Sequence, residues 1–346
     1  MLRIIQAIAI SCATATAWFA ASGSVVAAPA VIHAERVIQC GNADDERPAV
    51  ATGVAISADG RMIAAATDDH RVTIWDAASA ERTASFEAHA DWVRSVVMSP
   101  DGRTFASGAG DRSLCLWDVE EQRQEFQLPA CENAIAAVSF HPNNQQIAVV
   151  GFSNSLKIVN TSTGQISQQL VCPCGDSRTV SFSRDGERMA VAGRNGKIRI
   201  WNVTTGARER DIVSDGRRIR ALSFSPDGRW LAAAGTSPMI RILDATTGET
   251  VMTLNTRPAQ VYALVFLDNG RLATGGTDNR IRIWDLQSRQ AISQLVGHTG
   301  TVAALACDRS ARLLVSGSYD TTLRIWNIGK RQIPATASRE PAEVAR

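Results

Sequence analysis

Two sets of His, Ser and Asp are the residues in this chain whose types and spacing could do chemistry. His89, Ser107 and Asp111 precede Trp117 by 28, 10 and 6 residues, and His298, Ser316 and Asp320 precede Trp326 by the same intervals. Together such side chains can act as nucleophile, base and orienting acid, provided the hydroxyl faces a cleft with oxyanion donors. They can equally hydrogen-bond in series inside a core, where a buried carboxylate must have its lone pairs satisfied. Which of the two holds depends on the elements that carry them.

Those elements repeat. Trp75-Asp76, Trp117-Asp118, Val159-Asn160, Trp201-Asn202, Leu243-Asp244, Trp284-Asp285 and Trp326-Asn327 are separated by 42 residues at every step but one, where the gap is 41. About 18 residues before each dipeptide lies a turn-forming run such as Ser57-Ala58-Asp59-Gly60, Ser99-Pro100-Asp101-Gly102 or Ser225-Pro226-Asp227-Gly228. Pro presets the first bend, Asp bonds back to the local backbone and Gly takes the positive φ. A period near forty closing on Trp-Asp is the signature of four-stranded propeller blades. Over roughly residues 31–333 the chain resembles the WD-repeat family. The resemblance implies an all-β fold: a seven-bladed β-propeller of four-stranded antiparallel blades, with strands a to d running outward from a central channel. Val31 to Gln39 reads as an outer strand, and the seventh blade lacks one of its own. The N-terminal strand is therefore expected to complete the last blade, which removes two exposed sheet edges.

In such a family His89, Ser107, Asp111 and Trp117, and likewise His298, Ser316, Asp320 and Trp326, match a structural tetrad that links strands a, b and c. The hydroxyls are then buried against Trp, so the sets are staples and no catalytic residue is assigned. Blade six keeps Thr274, Asp278 and Trp284 without a His, blade one keeps Asp69 and Trp75, and blade four has Asn195 and Trp201. Blades three and five carry Val159 and Leu243 where Trp belongs, and are expected to rely on apolar packing and to be softer. Cys131 and the Cys172-Pro173-Cys174 run fall in turns of adjacent blades. A disulfide from Cys131 to Cys172 or Cys174 is one reading, free thiols the other. No metal is expected, because no His or second Cys pair is spaced to complete four ligands. No cofactor motif stands out.

Residues 1–30 hold Arg3 as their only charge, then a run of apolar and small residues ending in Ala27-Ala28-Pro29-Ala30. This reads as a secretory signal cleaved near Ala27 or Ala30, with an uncleaved membrane anchor as the alternative. The expected location is thus exported, periplasmic or extracellular. Residues 334–346 read as a disordered tail. Without the leader 35 Lys+Arg face 34 Asp+Glu, so net charge gives no support to nucleic-acid binding.

The upper ends of strand a are Thr52, Arg94, Ala136, Arg178, Arg220, Tyr262 and Ala303, and they should ring one channel mouth. None is His, Asp or Glu, which argues against an enzyme. Positions before the tetrad Asp on the same face include Asp68, Phe152, Arg194 and Tyr319, and loops add Trp92 and Arg218. Residues 176–241 hold 13 Lys+Arg against 7 Asp+Glu. Arg and large aromatics anchor binding hot spots. The expected function is a non-enzymatic scaffold, a monomeric ring that docks partner proteins or acidic or phosphorylated segments through Trp92, Arg94, Arg178, Arg194, Arg218, Arg220, Tyr262 and Tyr319. The alternative is an exported propeller enzyme or small-ligand sensor using the channel mouth.

Overall fold

The computed structural model describes residues 28–41, 48–129 and 132–329. The leader up to residue 27, Cys131 and the tail lie outside them. Seven sheets follow one another along the chain, each a meander in which every strand pairs antiparallel with the next. Blade one covers 51–87, blade two 93–129, blade three 135–171, blade four 177–213, blade five 219–255 and blade six 261–296. Blade seven supplies three strands between 302 and 327. The innermost strands touch in cyclic order, with Val302–Cys307 returning to Ala51–Ile56, so the ring closes.

Burial follows position in the blade. Strand b of blade one, Met62–Thr67, is buried from Ile63 onward, because it is covered on both faces. Strand d, Arg82–Glu87, is largely exposed apart from Phe86. Small residues let blades approach closely: a Cβ on Gly108 of blade two would stand 2.5 Å from Ile135 of blade three. The a–b turns form as the sequence indicates. Ser57 Oγ donates to Asp59 at 2.6 Å, and the Gly60 amide donates to the Ser57 carbonyl at 2.9 Å with φ of 75°.

The N-terminal segment completes the last blade, but as two strands in place of one. β1, Ala30–His33, lies parallel to the outer strand of blade six, with Ile32 opposite Leu295. β2, Arg36–Gln39, pairs antiparallel with Thr322–Asn327 of blade seven, with Ile38 opposite Leu323. Ile32 packs in the core between blades six and seven, and Ile38 in the core between seven and one. One short segment therefore clasps two blades.

The tetrads of blades two and seven are fully formed. In blade seven Trp326 Nε1 donates to Ser316 Oγ at 2.8 Å, Ser316 lies 2.7 Å from His298 Nε2, and His298 Nδ1 lies 2.8 Å from Asp320. In blade two the matching distances are 3.2, 2.8 and 3.1 Å. Direction is fixed end to end: indole to hydroxyl, hydroxyl to imidazole, imidazole to carboxylate. Ser107 and Ser316 are 0 % exposed, and each already serves two partners. A nucleophile cannot work from there.

The departures in other blades are chemically matched. At the His position blade four has Pro173, whose carbonyl accepts from Asn195 Nδ2 at 2.8 Å. An Asp there could not donate, which accounts for the Asn. Blade five inverts the pair: Asp215 occupies the His position and accepts from Ser237, at the Asp position, at 2.8 Å. The expectation that blade five relies on apolar packing alone is thereby corrected, although Leu243 itself, 1 % exposed, makes only apolar contacts in its core. In blade six Trp284 donates to Thr274 at 2.9 Å, but Thr256, at the His position, turns its hydroxyl to the carbonyls of Pro238 and Ala259. Asp278 then pairs with Arg282 at 2.6 Å through one oxygen and leaves the other buried and unbonded.

The cysteine expectation is also corrected. Cys172 and Cys174 are bonded to each other, with Cα atoms 5.2 Å apart, so neither is left for Cys131. Cys131 lies outside the described residues.

Candidate functional site

Strand a enters the mouth through a bulge in every blade: pairing with strand b shifts after the first residue, as between Val93 and Ser95 or Ser177 and Thr179. The extra residue is Thr52, Arg94, Ala136, Arg178, Arg220, Tyr262 or Ala303. A bulged residue drops out of the ladder and can be aimed afresh. All seven line a single cavity of about 690 Å³ at one end of the channel.

Arginine and aromatic residues pack against one another around this mouth. The Arg94 guanidinium sits 5.9 Å from the Trp92 ring and 5.2 Å from Phe152, and Arg178 approaches the same Phe152 ring to 4.1 Å. In the blade after Arg178, Arg220 lies 4.1 Å over Tyr262, whose ring meets Tyr319 edge-on at 6.5 Å. Stacking holds a guanidinium by one face and leaves its edges for a ligand. Trp92 and Tyr319 remain 47 % and 49 % exposed.

The electrostatics are unbalanced. Arg178 has one carboxylate, Asp176, at 3.3 Å. Arg94 and Arg220 have no ion pair among the described residues. The Nε atoms of Arg94, Arg178 and Arg220 are buried without a hydrogen-bond partner among the described residues. Burial lowers the Arg178 pKa from its ordinary value, Asp176 opposes this, and the positive charges of Arg218 and Arg220 add to the lowering. Burial raises the Tyr319 phenol, an effect the fields of Arg220 and Arg94 oppose. Three guanidiniums therefore converge on one space.

Of the eight residues assigned from sequence, Trp92, Arg94, Arg178, Arg220, Tyr262 and Tyr319 line the cavity together. Arg194 and Arg218 do not. Arg194 faces a groove between the loops of blades three and four, 3.9 Å from Asp176, and Arg218 lines a narrow cleft beside Asp215 and Arg241. Phe152, the ring shared by two arginines, was left out of that set. Its position, equivalent to that of Tyr319 four repeats further on, is the available signal. The mouth also holds one carboxylate that the strand-a positions alone do not show: Asp68, whose Oδ1 accepts from the Val50 amide at 2.7 Å. Among the described residues no group of three His, Cys, Asp or Glu could hold a metal, and no helix is long and apolar enough to cross a membrane.

Comparison with known proteins agrees with the architecture. The IFT122 first beta-propeller family matches residues 50–237, the WD domain, G-beta repeat family matches 289–327, and the anaphase-promoting complex subunit 4 WD40 domain matches 211–269. Among curated relatives, U3 snoRNP-associated protein-like EMB2271 of Arabidopsis thaliana is 42 % identical over 73 residues, 21 % of this chain and 15 % of that protein. The Periodic tryptophan protein 2 homolog of Neurospora crassa is 42 % identical over 74 residues, 21 % of this chain and 8 % of its own length. Mitochondrial division protein 1 of Saccharomyces cerevisiae is 36 % identical over 64 residues, 18 % of this chain and 9 % of its own. The chain thus spans less than a sixth of each of these relatives. With seven meander blades, two complete tetrads and a family match over more than half its length, the chain belongs to the WD-repeat propeller family.

Proposed function

We propose that this propeller is a non-enzymatic scaffold that docks an acidic or phosphorylated segment of a partner protein over its arginine-rich mouth. WD-repeat propellers generally act as protein-interaction scaffolds. The observation that carries the reading is the convergence of Arg94, Arg178 and Arg220 on one opening, with Arg94 and Arg220 lacking a carboxylate partner among the described residues. Charge-assisted bonds from guanidinium edges to carboxylate or phosphate are shorter and stronger than neutral ones. The exposed rims of Trp92 and Tyr319 supply the apolar anchors that hot spots use. Partners are other proteins; no nucleic acid or membrane is invoked, and the working unit is one ring. The test is affinity capture from native extract with Arg178→Glu and Arg220→Glu beside the wild type. Loss of specific partners in the variants is expected; an unchanged partner list refutes the reading.

Export is a separate part of the proposal and rests on the N-terminal sequence. A cut after Ala27 leaves β1 whole, whereas a cut after Ala30 removes its first residue. Fusing residues 1–35 to an export reporter tests it: retention of the reporter in the cytoplasm ends the proposal.

A further inference from the structure

The wall beneath the arginines differs in kind from the mouth. Directly after each bulged residue, strand a places a small residue and then Val or Leu, as in Ala221-Leu222 under Arg220 and Thr179-Val180 under Arg178. The collar of Gly, Ser, Ala and Thr keeps the passage open, and with the nearly buried aliphatic row it makes the lining somewhat more apolar than polar. At about 690 Å³ the space falls in the range that encloses a small organic molecule. Its cationic groups are concentrated at one end, where the guanidiniums of Arg94, Arg178 and Arg220 line the mouth.

We propose that the channel mouth is a binding site for a small organic oxyanion, a phosphate, sulfate or carboxylate carried on an apolar body. The oxyanion lies among the edges of Arg94, Arg178 and Arg220, and the apolar body descends into the collar. Each guanidinium can offer the planar pair of its terminal nitrogens, a fork that matches two oxygens of such a group. The stacking rings Phe152 and Tyr262 cover one face of their arginines, so the forks are held in place before the ligand arrives. This site does not depend on docking of a protein partner, since a free molecule fills it.

The test is calorimetric titration of the full chain at one low salt concentration with phenyl phosphate, benzoate, inorganic phosphate and phenol. Saturable binding of the two aryl anions is expected, with phenyl phosphate at least about tenfold tighter than inorganic phosphate, and none for phenol. Arg94→Lys and Arg220→Lys keep the charge but lose the fork, and each should weaken phenyl phosphate about tenfold or more. Ala263→Met narrows the collar and should remove the preference for phenyl phosphate over phosphate while leaving phosphate bound. Thermal unfolding of each variant verifies that the ring is intact. Equal affinity for phosphate and phenyl phosphate, no saturable binding of any aryl anion, or unchanged affinity in both lysine variants overturns the proposal. A protein that keeps its captured partners yet fails these titrations loses this site and retains the docking reading.

Discussion

Blades seven and five stand two apart in one ring, yet they are held by different physics. In blade seven a single relay runs from Trp326 to Asp320 through Ser316 and His298, so the core is both packed and hydrogen-bonded across three strands. In blade five Leu243 fills the place of the indole with apolar contacts only, and the surviving polar pair, Asp215 with Ser237, sits at the loop end and does not reach it. The repeat thus tolerates loss of the relay when an aliphatic side chain of suitable bulk fills the space. Blade six stands between the two, with a partly matched network in which one oxygen of Asp278 has no hydrogen-bond partner among the described residues.

The largest effect should come from emptying the blade-seven core. Trp326→Ala is expected to cost about 3–5 kcal/mol, read from urea unfolding; a loss below that of Leu243→Met would erase the distinction between the two blades. Next, volume-conserving changes should separate them. Trp326→Phe keeps most of the bulk but strips Ser316 of its indole donor, at about 1–3 kcal/mol, whereas Leu243→Met should cost less than about 1.5 kcal/mol. Equal costs would show that the relay adds nothing beyond packing.

The smallest effect is the pH dependence that the relay histidines contribute. Burial holds the His298 and His89 imidazoles below the ordinary value of 6.5, against the pull of Asp320 and Asp111. The unfolded chain takes up these protons more readily, so their contribution is complete above pH 6.5 and falls as pH drops below it. Asp320 is opposed by burial, but donors from Thr322, Thr299 and His298 prevail and bring it to about 2 from 3.8. Its contribution is present above 3.8 and disappears as pH falls through 2. Comparing the melting temperature of wild type with His89→Gln/His298→Gln between pH 7 and 5 should show a flatter profile in the double variant. Parallel profiles would remove histidine from the explanation.

Periodicity made most of this legible in the sequence. A 42-residue period fixes which side chain stands at the end of each strand a, so all seven mouth positions are legible in it. Arg194 and Arg218 went astray because they stand at the edge of a strand or in the loop between blades, where local partners decide direction: Asp176 for one, the cleft around Asp215 for the other. The relay substitutions at Pro173 and Asp215 were readable as departures, but their meaning was not. It needed the observation that a carbonyl accepts at one position and a Ser donates at the other. The division of the closing segment into β1 and β2 had no periodic signal, since it occurs once.

That clasp sets a timetable for biosynthesis. Arg36 ends opposite Ile325, so the first-made part of the fold waits for the last-made part across almost the whole chain. Blades one to six can assemble behind the ribosome as their strands emerge, while β1 stays unmatched until Gln290–Val296 is made and β2 until Thr322–Asn327 is translated. Until then the nascent molecule is an open arc with two bare margins, and a pause in translation before that point would leave it in its most adhesive form.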